Sequence, residues 1–392
     1  MVSVWAGLRK KYHTVKRVVK LFLEAEKTFR QPKAAQVLVI DAEGADTLFQ
    51  LFGEFSYEVL HLRNERVNLN GALWLDAAIG WLRTKNLKLS YADAYLKIVN
   101  PSVAITFVDN SQVFQMLDKK LHGPKLKFMA IQNGRRALAR DNPIGGVPIF
   151  HSNFFCFGQH EVEQYKANGA EVLQFHPCGS LKDSYYRQIA GESESKSCCD
   201  VVLISEGWYD TVYDSKYGAA KTSFDLLCTH LKRYIKEHKI NVVVACRNEQ
   251  REPAYERELN DLKRILGADV TYISNIRNNF VSYRLTDSSN VVLGAASTLI
   301  LEAFGRGRKV LSINYSGDSN YDFPVDGIWS LSNSGYAEFS KALTYLLTMT
   351  ASDYKNKAKI EMNYAINYSC QTPMPRALKN FIDKQMTATS DC

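Results

Sequence analysis

The side chains with the clearest chemical potential in this 392-residue sequence stand in one run, from Asn290 to Leu311. The apolar Val291-Val292-Leu293 gives way to Gly294-Ala295-Ala296, then to Ser297 and Thr298, with Glu302 four residues past Thr298. A buried strand running into a small-residue turn puts Ser297 and Thr298 at a helix start. Unbonded backbone N–H groups and the helix dipole attract an anion there. The two hydroxyls can cap the helix or donate to a phosphate. From the first turns of that helix, Glu302 can accept the hydroxyls of a ribose, and Gly305 and Gly307 let the helix end before the next strand. The expectation is a phosphate-bearing nucleotide.

Such a turn must be held at the edge of a sheet. Strand-like stretches at 36–40, 103–108, 127–131, 154–157 and 172–175 alternate with helix-like stretches such as 73–82 and 111–119. That alternation implies parallel strands and right-handed crossovers. Residues 191–199 open with a short polar stretch free of large apolar side chains and read as a linker. The pattern then restarts, with strands expected at 201–204, 241–245, 270–273, 290–293 and 309–313 and helices at 223–237, 254–266 and 297–304. The reading is two Rossmann-like α/β domains, 34–190 and 200–370, facing across a cleft. A C-terminal helix and tail is read at 371–392. Ligands bind outside the carboxyl ends of such strands, so Asp41-Ala42-Glu43, Asp109-Asn110 and Asn133-Gly134-Arg135-Arg136 should reach the cleft. Asn133, Gly134 and Arg135 are read as a loop contacting acceptor or phosphate.

Bulk composition excludes little: 46% hydrophobic and 23% charged residues are ordinary for a globular chain. No apolar run reaches the roughly 18 residues of a membrane span. The eight cysteines show no C-x-x-C spacing, and reduced cytosolic thiols are expected. No G-x-G-x-x-G follows a strand, which speaks against a dehydrogenase. The charge is uneven: residues 1–33 hold nine Lys or Arg against Glu24 and Glu26, so they supply +7 of the net +8. The rest is nearly neutral, which argues against a nucleic-acid partner. Trp5, Leu8, Val15, Val18, Val19, Phe22 and Leu23 recur at helical spacing between the cations. The segment 1–33 reads as a basic amphipathic helix, with residues 1–30 docking on an anionic membrane surface.

The run from Ser297-Thr298-Leu299 through Glu302-Ala303-Phe304 and Gly307 to Lys309-Val310-Leu311, followed by Tyr321-Asp322-Phe323-Pro324 and Gly327-Ile328-Trp329, resembles GT-B glycosyltransferases. It is nearest to bacterial capsule and O-antigen biosynthesis transferases. Asp109-Asn110-Ser111 and Gln132-Asn133-Gly134-Arg135 resemble phrases of the same group, and the likeness covers about residues 105–365. It implies a GT-B fold, a last helix within 371–392 that crosses back to the first domain, a nucleotide-sugar co-substrate, no resident cofactor and no obligate metal. Ser297 and Thr298 would face the diphosphate and Glu302 the ribose. Ser205 and Glu206 would line the donor cleft with Arg247, which would neutralise the leaving phosphate. The first half would hold a glycan or lipid-linked glycan acceptor at the cytoplasmic face of the cell membrane. Inverting transfer needs a base to take the acceptor proton. Glu43 and Asp109 lead, ahead of Asp41 and His151, and the Tyr321–Pro324 loop would cover the sugar. Three alternatives stand beside this reading: a nucleotide-sugar 2-epimerase of the same fold, a non-catalytic basic membrane adaptor, and a metal-dependent GT-A enzyme using Asp41 and Glu43.

Overall fold

Val37-Leu38-Val39-Ile40 is buried at every residue. Alternate side chains of a strand point to opposite faces, so both faces of this sheet must be covered. Leu38, Ile40, Ala104, Phe128 and Ala130 enter one core, while Val37, Val39, Val103, Ile105, Met129 and Ile131 enter another. This two-sided burial is the pattern of parallel sheets clad by crossover helices.

The computed structural model describes residues 25–63, 66–136, 148–191, 198–207, 218–276, 279–368 and 371–390. The first half runs β1 (Glu26–Thr28), β2 (Val37–Ile40), α1 (Asp46–Phe52), β3 (Tyr57–Leu60), β4 (Arg66–Asn68), α2 (Gly71–Thr84), α3 (Leu87–Val99), β5 (Val103–Thr106), α4 (Gln112–Leu121), β6 (Lys127–Ile131), β7 (Phe150–His151), β8 (Phe154–Cys156), α5 (Gln159–Ala167), β9 (Glu171–Val172), β10 (Phe175–Pro177) and α6 (Leu181–Ala190). The second half runs β11 (Cys199–Ile204), α7 (Gly218–His238), β12 (Val242–Glu249), α8 (Pro253–Leu266), β13 (Thr271–Asn275), α9 (Val281–Asp287), β14 (Ser289–Gly294), α10 (Thr298–Gly305), β15 (Val310–Asn314), β16 (Ser330–Ser332), α11 (Tyr336–Thr348) and α12 (Ala351–Ala365). A last helix, α13 (Met374–Ser390), follows.

Each half carries a six-stranded parallel sheet, in the order β10-β8-β6-β5-β2-β3 and β13-β12-β11-β14-β15-β16. In the second sheet the chain reverses its winding between β11 and β14, and in the first between β2 and β5. A crevice opens at such a switch point outside the carboxyl ends of the strands. The expected residues therefore lie in two crevices: Asp41–Glu43 and Asp109 in one, Glu206 and Ala295–Thr298 in the other.

The halves are tied at several places. Gly158, before α5, lies so close to α12 that a Cβ would fall 2.5 Å from the Tyr364 carbonyl oxygen. As expected, the last helix returns to the first half, where Met374, Leu378 and Ile382 join the core of Val37, Val39 and Phe155. Pro375 is tolerated because it falls in the first turn of α13.

Three expectations change. The strand expected over 103–108 stops at Thr106, whose hydroxyl donates to the Ile40 carbonyl (2.7 Å) and accepts from the Val108 amide (3.0 Å), replacing the ladder. The linker proposed over 191–199 ends sooner, since Cys199 already pairs with Ser289; residues 192–197 lie outside the described residues. The amphipathic helix proposed over 1–33 falls mostly on residues 1–24, also outside them, and residues 26–28 are strand β1, paired with β4. Among the described residues no helix is long and apolar enough to cross a membrane.

Candidate functional site

Ser297 caps α10, its hydroxyl accepting from the Leu299 amide (3.3 Å). The amides ahead of the helix are not free, as the sequence led us to expect. One carboxylate oxygen of Glu206 accepts from both Ala295 N and Ser297 N, each at 3.0 Å. Buried amides without partners are costly, and Glu206 ends the neighbouring strand in the switch-point crevice. An internal carboxylate thus occupies part of the expected anion site. Arg247, from β12, donates to the Glu206 carbonyl (2.8 Å). Ser205 is turned to the buried Glu258 of α8, which also accepts from the amides of Arg247 (2.8 Å) and Asn248 (3.0 Å). Ser205 therefore shapes the strand ends, its hydroxyl already taken.

The loop after β6 crosses the cleft. The Arg135 amide donates to the Thr298 hydroxyl (3.1 Å), and Gly134 sits so near that an added Cβ would lie 3.2 Å from the same oxygen. The Arg135 guanidinium donates through Nη2 to the Asp322 carbonyl and lies over the Phe323 ring at 5.9 Å. Its Nη1 is buried and has no hydrogen-bond partner among the described residues. Burial pulls this guanidinium below its usual pKa, against the opposing charges of Glu161, Glu206 and Asp322. Asp322 is itself fixed by Asn314 (2.7 Å) and Ser332 (2.8 Å). Tyr321 and Phe323 are buried, and Phe323 meets Phe304 edge-on. The aromatic-Asp-Phe-Pro phrase therefore seats its loop in the second core and presents a carbonyl to Arg135, where a flap over a sugar was expected.

Glu161, on the first turn of α5, went unnoticed in the sequence. It is buried near Arg135, and burial lifts its pKa to about 7 against the pull of Arg135 and Gln132. Gln132 also ties the loop together, donating to the Gly134 carbonyl (3.1 Å) and accepting from the Phe157 amide (3.0 Å). The only sequence signal for Glu161 is its place just after Gly158, at the end of a buried strand.

Asp109 was expected at the cleft rim, but it is 1% exposed. Its carboxylate takes two bonds from Arg136, one from the Tyr165 hydroxyl (3.2 Å) and one from the Asn133 amide (3.4 Å). Asn133 in turn accepts from Arg136 (2.6 Å). Paired in this way, Asp109 has little capacity left for a substrate proton and anchors the Asn133–Arg136 loop. Glu43 is exposed at the first switch point and pairs with Arg63, which also bonds Asp41 (2.9 Å). His151 is buried and stacked on Phe154 (5.0 Å), and burial lowers its pKa to about 4. That removes it from the cleft.

Glu302 also departs from expectation. Thr298 and Glu302 share the face of α10 that meets the first half. Both Glu302 oxygens are taken there, by the Ser180 hydroxyl (2.5 Å) and the Tyr283 hydroxyl (2.8 Å). Burial, reinforced by Asp183, raises its pKa to about 7. Beside it Arg306 bridges Asp183, Asp287 (3.0 Å) and Thr286 (2.6 Å). This is a buried seam between the halves, and it leaves neither Glu302 oxygen free for a ribose.

The contacts thus run unbroken from Asp109 through Asn133, Arg136 and Arg135 to Thr298, Ser297, Glu206 and Arg247, leaving Glu43 and Glu302 apart. Two parallel sheets meeting at facing switch points define a protein of the GT-B fold class. The solved structures agree. Methanocaldococcus jannaschii UDP-GlcNAc 2-epimerase, in complex with UDP-GlcNAc and UDP, is 11% identical over 83% of this chain and 98% of that one (TM-score 0.51). S. aureus MnaA with UDP is 10% identical over 91% and 97% (TM-score 0.52). Sucrose-phosphate synthase from Thermosynechococcus elongatus is 10% identical over 91% and 99% (TM-score 0.50). No curated protein matches the sequence. A family model described as "putative O-antigen biosynthesis protein" matches residues 184–385, slightly more than half of the chain. The chain belongs to this O-antigen biosynthesis family.

Proposed function

We propose that this protein is a glycosyltransferase that moves a sugar from a nucleotide-activated donor to a growing surface glycan, with the donor diphosphate seated against the Arg135 guanidinium near Thr298. The observation that carries the reading is Arg135. Its buried guanidinium has one nitrogen without a hydrogen-bond partner among the described residues, and its backbone amide bonds the hydroxyl of Thr298, the first residue of α10. A buried cation with an open donor is completed by an anion, and the start of a helix favours the same charge. Membership of the O-antigen family and the uridine nucleotides of two structural neighbours support a sugar nucleotide as that anion.

In this reading the leaving diphosphate is stabilised by Arg135 and Thr298, with Arg247 as a second cation at the crevice. Glu206 holds the turn that aims them. The first half receives a glycan or lipid-linked glycan, and Glu43, exposed at its switch point, takes the acceptor proton. Asn133 and Gly134 border the acceptor, and Asp109 fixes their loop. The nucleotide-sugar is a co-substrate, with no resident cofactor and no required metal. Residues 1–30 hold the protein on the cytoplasmic side of an anionic membrane.

A thermal-shift screen against a panel of sugar nucleotides tests this. Saturation at about 100 times Kd stabilises by about 2.7 kcal/mol. At least one donor should raise the midpoint, Arg135→Ala should remove the shift, and transfer to an acceptor should persist in EDTA. No shift with any sugar nucleotide, or an undiminished shift in Arg135→Ala, refutes the seat. A free sugar nucleotide of altered configuration, formed without acceptor, would mark an epimerase.

A further inference from the structure

Helix α2 buries only Leu73 and Ala77. On its other side Ala72, Leu75, Ala78, Ile79 and Leu82 follow helical spacing and are all exposed. Leu75 is 65% exposed, Leu82 62%, Ile79 47% and the adjoining Trp81 45%. A surface helix normally turns polar residues to water and apolar ones to the core, so α2 has an apolar face left over. Asp76 is the one acid in the helix, and Lys97 lies 3.6 Å from its carboxylate. At the C-terminal end stand the exposed cations Arg83, Lys85 and Lys88, with Lys85 over the Trp81 ring at 5.8 Å.

We infer that the outer face of α2 is a docking surface for an anionic phospholipid membrane. Its aliphatic residues enter the acyl boundary, Trp81 lies at the headgroup level, and Arg83, Lys85 and Lys88 meet lipid phosphates. This combination of apolar stripe, interfacial tryptophan and cationic rim is what an interfacial helix needs. Chain continuity points the same way. The basic segment 1–24 enters the described structure at Ala25, just before β1. There β1 pairs in register with β4, and the Leu69 amide donates to the Thr28 carbonyl (2.6 Å) immediately ahead of α2. The first described residues of the chain therefore lie beside the strand that leads into the exposed apolar helix. The surface is distinct from residues 1–30 and independent of the donor seat. It would bring a lipid-linked acceptor to that half.

The experiment is co-sedimentation of the full chain with phosphatidylcholine vesicles, with and without phosphatidylglycerol. The triple variant Leu75→Ser/Ile79→Ser/Leu82→Ser is compared with deletion of residues 1–24. The triple variant should lose binding to the anionic vesicles by about tenfold or more, keep its sugar-nucleotide thermal shift and leave the oligomeric state of the wild-type chain unchanged. In a second measurement on the chain carrying Trp5→Phe, brominated lipid should quench tryptophan fluorescence, and adding Trp81→Phe should remove most of that quenching. Three results overturn the inference. One is unchanged vesicle binding in the triple variant, or quenching that survives Trp81→Phe. Another is a wild-type dimer that the triple variant splits, which assigns the face to a second copy. The third is a triple variant in which residues 1–24 become newly protease-sensitive without vesicles, which assigns it to the chain's own N-terminus.

Discussion

Replacing Asp109 by Asn separates an anchor from a base. The carboxylate is 1% exposed and receives Arg136 through two nitrogens, the Tyr165 hydroxyl and the Asn133 amide. Burial by itself would lower the Arg136 pKa, but Asp109 more than offsets it and holds the guanidinium above its usual value. An amide in place of the carboxylate keeps the shape and removes the counter-charge, leaving a buried cation uncompensated. Breaking a buried pair from one side costs about 3–5 kcal/mol. At about 2–4 °C per kcal/mol for a domain of this size, the melting midpoint should fall by roughly 10 °C. The double variant Asp109→Leu/Arg136→Met removes both charges and should recover most of that loss, so the two changes are strongly non-additive in a double-mutant cycle. The assay is urea unfolding of wild type, both single variants and the double variant, alongside sugar-transfer turnover. If Asp109→Asn leaves the urea midpoint in place yet abolishes turnover, Asp109 is the proton acceptor and the anchoring argument is wrong.

Two further outcomes follow from the buried carboxylates. Glu302 is lifted from 4.5 to about 7 by burial and by Asp183, so the folded chain keeps a proton there that the unfolded chain releases. Its stabilising contribution is full below pH 4.5 and declines as pH rises towards 7; Glu302→Gln should flatten that slope in urea midpoints, and an unchanged slope would refute the assignment. At the donor crevice, Glu206→Gln retains an oxygen for the Ala295 and Ser297 amides and should bind a sugar nucleotide at least as well as wild type. Glu206→Ala leaves those amides unsatisfied and should weaken binding by about tenfold, measured by calorimetry; equal loss in both variants would show that the charge itself holds the ligand.

The parts legible in the sequence are those that depend on neighbours along the chain. Ser297 as a helix cap and the strand ends at Ile40, Ile131 and Ile204 follow from local hydrophobic runs and turn residues, whereas the return of the last helix was implied by the resemblance to GT-B enzymes. What could not be read was which side chain closes on which. Glu206 reaches the amides of residues 295 and 297 only because the chain reverses between β11 and β14, which makes strands far apart in sequence neighbours. Arg136 and Asp109 lie 27 residues apart, and nothing in their spacing distinguishes a buried pair from two rim residues. The four-residue step from Thr298 to Glu302 places both on one face of a helix, but it does not say that this face meets Ser180. Helix α2 misleads in the opposite sense. Its apolar spacing at 72, 75, 79 and 82 reads as a core stripe, yet the residues turned inward are Leu73 and Ala77.

The return of α13 bears on how the molecule is made. Met374, Leu378 and Ile382 close over Val37, Val39 and Phe155 beside α1 and α6, so part of one side of the first sheet stays uncovered while the ribosome is still producing the second domain. More than three hundred residues separate Val37 from its final covering. The nascent chain must keep that apolar surface from other partners until α13 has emerged. Deleting α13 would therefore damage the half translated first.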